Sequence, residues 1–318
     1  MNGGKAPGHH RLLNDEERTR KPSPTIIEAK VLYLRLKGSG RPKTFHMAVE
    51  RAVEYLVTAN GNKALLAYTK SDATTFRDAL YARKLSTSSV ERVMTTIKAI
   101  VALVMSESGI TAPNPFAGVY LNRQEKAEDR KPIPLSDIRR IQAKCREMDD
   151  DIRWLVALIS DTGMRLAEAA GLAINDFKVD ESIPYVKIQP HPWRSLKTNA
   201  SERSVPLVGE ALWAANRILE RNSSDLAFPR YNRVERTSSN SASAALNKWL
   251  GSIAPKGCVV HSFRHSFRDR LRALECPSDI VDQLGGWTTS GEGQGYGSGY
   301  PMQVKAKWMD LISDRQGH

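Results

Sequence analysis

Two proline-bearing interruptions decide how this chain can fold. "GITAPNPFAGV" (109–119) and "KPIP" (131–134) bracket the charged run "NRQEKAEDR" (122–130), and neither a regular helix nor a paired strand runs through such a stretch. The sequence therefore predicts one folded block before the interruption and one after it. Over 318 residues, each block is long enough to bury a core of its own. We expect a first domain over residues 24–121, a linker over 122–133 and a second domain over 134–318. Residues 1–23, polar and poor in large apolar groups, read as a disordered basic tail.

The first block carries helical periodicity throughout. Thr25 and Glu28 form a capping-box pattern ahead of "IIEAKVLYLRL", and "TFHMAVERAVEYLV" repeats its apolar residues at helical spacing. "DATTFRDALYARK" sets Ala73, Phe76 and Leu80 on one side. A longer stripe follows through Val90, Val93, Ile97, Ile100, Val101 and Val104, with Ser88 and Glu91 as its opening signal. This block is expected to be all helical.

The second block is mixed. Ser136 is the expected N-cap of its first helix, and "DDIRWLVALISDTG" reads as a helix stopped by Gly163 in a left-handed C-cap. "RLAEAAGL" makes a short helix, whereas "PYVKIQ" and "RSVPL" carry strand signals around the polar loop "PHPWRSLKTNASE". "EALWAANRILERN", "SASAALNKWLGSI" and "HSFRHSFRDRLRALE" return to helix. A tail helix is expected in "PMQVKAKWMDLI", with Val304, Trp308, Leu311 and Ile312 on one face. The fold class is thus mainly α: an all-helical N-terminal domain and a mostly helical α/β domain with a small antiparallel sheet.

Charge narrows the partners. With 47 Lys and Arg against 35 Asp and Glu the net charge is +12, and the pI near 9.6 points to a polyanion, nucleic acid first. No apolar run approaches the roughly 20 residues that cross a bilayer, and the N-terminus lacks the apolar core of a signal sequence. Cys145, Cys258 and Cys276 lie far apart without metal-ligand spacing. A reducing, intracellular setting without a membrane partner is the expectation.

Three places put cations where a core would not want them. Arg165 opens a helix, where its charge opposes the helix dipole unless an anion sits beside it, and Glu168 one turn on is a partner that would hold its guanidinium. Lys197 stands on the polar loop between the strands. His261, Arg264, His265 and Arg268 recur at i, i+3, i+4 and i+7, stacking imidazoles and guanidiniums on one helical face. Two arginines gripping a phosphodiester, with a lysine and a histidine to move protons, suit phosphoryl transfer. No cluster with two-metal spacing accompanies them.

The nucleophile is then sought in "GGWTTSGEGQGYGSGY". Seven of the 21 glycines fall between Gly285 and Gly299, so Tyr296 and Tyr300 ride on a permissive strap. A phenol with pKa near 10 is ionised in about one molecule per thousand at pH 7, a cost of roughly 4 kcal/mol that neighbouring cations offset.

In this order the residues resemble the tyrosine recombinase, or phage-type integrase, family. "TGMRLAEAAGL" is similar to its first arginine box, "SLKTNASERSVPL" to its hairpin-lysine segment, "HSFRH" to its histidine-x-x-arginine box, and "LGGW" followed by tyrosine to its last box. The N-terminal block ending in "NPFAGV" resembles the core-binding domain. The resemblance implies a clamp of two domains around duplex DNA and a site-specific recombinase working through a 3′-phosphotyrosyl intermediate. It implies Arg165 and Arg264 as the phosphate-clamping pair, Lys197 as general acid and His261 as proton acceptor, with Glu168 and His265 in support. Trp287 stands where most members carry a second histidine. Tyr296, nine residues beyond Trp287, holds the interval usual for the nucleophile, and Tyr300, thirteen beyond, is the alternative.

No cofactor and no metal are implied. The implied partners are double-stranded DNA at a specific recombination site, further copies of the chain in a tetramer on DNA with exchange of the C-terminal helix, and accessory DNA-bending proteins. The implied location is the cytoplasm of a bacterium, with a bacterial or phage-encoded origin. Two other readings fit the same residues: type IB topoisomerase-like relaxation, and a DNA-binding relic without catalysis.

Overall fold

The structure, a computed structural model, describes residues 23–122, 131–221, 223–233, 236–287 and 299–314. Most of the expected tail and linker, and Tyr296, lie outside the described residues. The chain divides into two compact units, Met1–Asp129 and Arg130–His318.

The first unit is built on four helices, α1 (Ile26–Lys37), α2 (Lys43–Asn60), α3 (Lys70–Ala82) and α4 (Thr87–Glu107). The Thr25–Glu28 box forms, with Thr25 N donating to Glu28 Oε2 at 2.7 Å and Glu28 N to Thr25 Oγ1 at 3.3 Å. Helix α4 is the axis, and its Val90, Met94, Ile97, Ile100, Val101 and Val104 are buried against the other three helices. It starts one residue before the Ser88 signal. Ser86 holds the cap position, but its hydroxyl pairs with the hydroxyls of Ser88 and Ser89 rather than with a backbone N–H. The proline segment also contributes packing, because Phe116 is buried with its ring 5.6 Å from Tyr68 and 6.4 Å from Phe76.

The second unit begins with α5 (Leu135–Met148), and here the cap differs from the sequence expectation. Pro134, fixed in an extended conformation (φ −57°, ψ 147°), is the N-cap, its carbonyl accepts from Asp137 and Ile138, and Ser136 lies inside the first turn. Helix α6 (Asp151–Thr162) follows and is the centre of the unit: every residue from Arg153 to Thr162 is buried, with α5, α8 (Gly209–Arg221) and α10 (Ser262–Ala273) against it. Gly163 stops it in the left-handed region (φ 61°), as the sequence predicts.

A short α7 (Leu166–Ala170) leads to an antiparallel sheet of order β1 (Phe177–Lys178), β2 (Tyr185–Ile188), β3 (Arg203–Pro206), in which Val186 faces Val205 and Ile188 faces Arg203. Strand β1 has only two residues, too few for a period, as have β4 (Asn232–Arg233) and β5 (Arg236–Thr237), which pair with each other. Helices α9 (Ser239–Leu250), α11 (Ser278–Gly285) and α12 (Met302–Asp314) complete the unit.

Helix α12 seats itself on β3 and α10 of its own chain. Its buried residues are Ala306, Met309 and Ile312, with Val304 and Trp308 packed at the margin. The contact face is thus rotated from the expected stripe: small Ala306 allows close approach, while the indole of Trp308 stays at the rim.

Candidate active site

Three loops and one helix converge, and each does so for a local reason. The Gly163 turn is the first. A Cβ on Gly163 would lie 2.5 Å from the Phe267 ring, so only glycine lets α10 dock there, and Gly163 O accepts from Arg264 Nη1 at 2.7 Å. Two residues on, Arg165 caps α7. Its backbone N donates to Glu168 Oε2 (3.0 Å), and its Nη1 donates to Glu168 Oε1 (2.6 Å) and Ser201 Oγ (3.0 Å). Its Nη2 donates to Gly286 O (3.0 Å). The anion that its place at a helix start demands is supplied by Glu168.

Glu168 is itself buried, 4% exposed. Burial alone would raise its carboxyl pKa, but the guanidiniums of Arg203 and Arg165 outweigh that and hold it below the ordinary range. Arg203 Nη2 donates to Glu168 Oε2 at 3.0 Å, its Nη1 to Ser201 O and its Nε to Leu284 O. Burial pushes the Arg203 pKa down. Arg203 carries no signal in the sequence, where an arginine opening a strand reads as a solvent-facing residue.

The third component is α10 with the "LGGW" turn. A cleft of about 250 Å³ is lined by His261, Arg264, His265, Arg268, Arg272 and Trp287 among others. The indole of Trp287 carries the Arg264 guanidinium 4.1 Å and the Arg268 guanidinium 4.9 Å from its ring centre. A Cβ on Gly285 would collide with that ring at 1.6 Å, and one on Gly286 (φ 62°) with Arg203 Nη1 at 2.6 Å. Both glycines are therefore required by packing. His261 sits at the N-cap of α10 and meets His265 edge-on, ring centres 5.4 Å apart.

Arg264 is only 4% exposed, and its Nη2 has no hydrogen-bond partner among the described residues. Burial, followed by repulsion from Arg165 and Arg203, pulls its pKa down to about 9. Arg268 is held by Asp282 at 3.3 Å, while its buried Nε also lacks an acceptor among the described residues. The site thus collects cations faster than anions. A guanidinium keeps its proton under ordinary conditions, so this depressed affinity is stored repulsion that an incoming anion would relieve.

Lys197 is exposed at the bend of the β2–β3 loop. Its neighbour Thr198 shares a 3.0 Å hydrogen bond with Ser201 Oγ, which Arg165 also contacts, so the loop is tethered to the site. At the loop's base His191 stacks on Trp193, ring centres 4.7 Å apart, and bonds Asp176 at 2.8 Å. Tyr300 is exposed, and its backbone N donates to Gln283 Oε1 of α11 at 2.9 Å.

The segment that carries these residues has known relatives. The family model described as the phage integrase family matches residues 133–298. The chain belongs to the phage integrase family and is a tyrosine-type site-specific recombinase. Among solved structures, it is similar to a Tn1549 transposon integrase in complex with a circular-intermediate DNA: TM-score 0.69, 15% identity, 86% of this chain and 98% of that one. It is also similar to a lambda integrase dimer bound to a COC′ core site, with TM-score 0.68, 13% identity, and 97% and 83% coverage. A lambda integrase tetramer bound to a Holliday junction gives TM-score 0.63, 13% identity, and 98% and 84% coverage. At such identities the likeness concerns the fold. No curated protein matches the chain.

Proposed function

We propose that the protein exchanges strands of duplex DNA at a specific site by transesterification through tyrosine. The observation that carries this reading is the Arg264 guanidinium, 4% exposed, with one nitrogen lacking an acceptor among the described residues and Arg165 close enough to depress its pKa. A phosphodiester supplies what that geometry lacks, and the pentacoordinate transition state, with more negative charge, supplies more of it.

In this reading Arg165 and Arg264 grip the non-bridging oxygens. The tyrosine phenol, its proton taken by His261, attacks phosphorus. The bond from phosphorus to the 5′ oxygen breaks, Lys197 protonates that oxygen, and a 3′-phosphotyrosyl link and a 5′ hydroxyl result. The 5′ hydroxyl of a second strand reverses the step and returns the phenol. Glu168 holds Arg165, His265 supports His261, and Trp287 seats Arg264. The phosphate bond energy is kept in the covalent link, so no nucleotide cofactor is invoked.

Tyr296 is the proposed nucleophile on its interval from Trp287. On nicked duplexes that lose the cleaved end, Tyr296→Phe should form no protein–DNA adduct while Tyr300→Phe still does; the reverse pattern reassigns the role to Tyr300. Relaxation of any supercoiled plasmid without recombinants would support a topoisomerase instead, and binding without an adduct a relic.

DNA as partner is supported by the net charge of +12, and assembly as a tetramer by the likeness to the lambda integrase tetramer. Exchange of α12 would vacate the seat on β3 and α10 and refill it from a neighbouring copy; accessory DNA-bending proteins would assist the synapse. We place its action in the cytoplasm, a reducing setting that suits three free thiols; among the described residues no helix is long and apolar enough to cross a membrane.

A further inference from the structure

Arg203 and Arg165 grip the same three segments. Arg165 reaches Glu168 Oε1, Ser201 Oγ and Gly286 O; Arg203 reaches Glu168 Oε2, Ser201 O and Leu284 O. One carboxylate, one serine and one turn are each held twice. Glu168 is shared edge to edge between the two guanidiniums, so a displacement of Arg203 removes one of its two cationic partners and rotates the carboxylate that aims the other.

The segments so joined are those from which the site is assembled. Ser201 ends the loop that carries Lys197, four residues upstream. Leu284 lies three residues before Trp287, the indole under Arg264, and the Tyr-bearing strap begins immediately after. Arg203 itself does not line the cleft. Its side chain is 5% exposed, and each of its three nitrogens donates to a protein acceptor. Its fork thus faces protein groups rather than the cleft.

From these contacts we infer that Arg203 is a positioning residue for the strand-exchange reaction: it locks the Lys197 loop and the Trp287 turn to Glu168, and through Glu168 it fixes the direction of the Arg165 guanidinium. This rests on the transesterification reading above. The fork of arginine is the operative property. A lysine carries the same charge on one nitrogen and cannot span a carboxylate, a carbonyl in the loop and a carbonyl in the turn together. Loss of the fork leaves the phosphate-binding cations present but misdirected, and a misplacement on the order of 1 Å costs about 100-fold in rate.

The experiment compares wild type, Arg203→Met, Arg203→Lys, Glu168→Gln and the Glu168→Gln/Arg203→Met double variant in the full chain. The probe is a pool of nicked duplexes of randomised sequence, read for both non-covalent binding and SDS-stable adduct. Adduct formation should fall about 100-fold in Arg203→Met and nearly as far in Arg203→Lys, with DNA affinity within about 3-fold of wild type. The double variant should be no slower than Glu168→Gln alone, because the two residues act through one contact. Full activity in Arg203→Lys, independent multiplication of the two effects, or a rate loss that only tracks affinity would overturn the inference.

Hydrogen exchange decides the same point without turnover. Trp287 N is bonded to Asp282 O and Ser201 N to Thr198 O. In Arg203→Met both amides should exchange faster together; faster exchange confined to β3 would overturn the coupling. A wild-type chain that binds the pool but yields no adduct counts against the transesterification reading, and the exchange result then stands by itself.

Discussion

At the scale of single residues, the site is a problem of unbalanced charge. Glu168 lies between two guanidiniums, and the excess falls on Arg264, whose buried Nη2 has no acceptor among the described residues. Trp287 is the compensating surface, because its ring face attracts both Arg264 and Arg268. A desolvated pair of this kind contributes about 2 kcal/mol. Trp287→Ala should therefore slow adduct formation by more than tenfold, and Trp287→Phe, which keeps a weaker ring face, should recover most of the loss. Single-turnover cleavage assays check this. Most members of these cationic clusters could be named from sequence because their spacing is helical or adjacent. Arg203 was not, because what marks it is the pair of carbonyls from distant segments that meet its fork, and no local pattern records those.

At the scale of elements, turns do the positioning. Gly163 both adopts a left-handed conformation and lies against Phe267, so Gly163→Ala should cost more than the roughly 1–2 kcal/mol of the backbone alone and lower the urea midpoint clearly. A second turn, between α5 and α6, is tied by Asp149, which accepts from Trp154 Nε1, Arg217 and Arg221. Its carboxyl is lowered to about 2, first by the Arg217 hydrogen bond. The stability it adds is present above the unfolded carboxylate range near 4 and lost as pH falls toward about 2. Asp149→Asn should remove roughly 1 kcal/mol at neutral pH, after allowance for solvent screening, and flatten the acid limb of a stability–pH curve. Elements with a full period, such as α4 and α6, were legible in the sequence. The two-residue strands were not, and neither was the true face of α12, which is set by its seat on β3 and α10.

At the scale of the whole molecule, a net charge of +12 is expressed as an ionic-strength dependence. DNA affinity should fall steeply with salt, by about 0.9 in log–log slope for each phosphate neutralised. Arg272 lines the cleft one turn beyond Arg268 and is exposed. Arg272→Ala should reduce the slope by about one such unit with little change in the thermal midpoint. The family was legible in four boxes in order; the double grip on Glu168, Ser201 and the 284–286 turn required coordinates.

The central claim is that guanidiniums from the Gly163 turn and from α10 receive a phosphate that a strap-borne tyrosine attacks. Its most direct measurement is peptide mapping of the wild-type adduct by mass spectrometry after nuclease and protease digestion. A single nucleotide-bearing peptide, modified on Tyr296, is the expected result. DNA bound tightly at low salt with no nucleotide on any tyrosine, or a nucleotide linked to a residue outside the segment between Trp287 and Pro301, would contradict it.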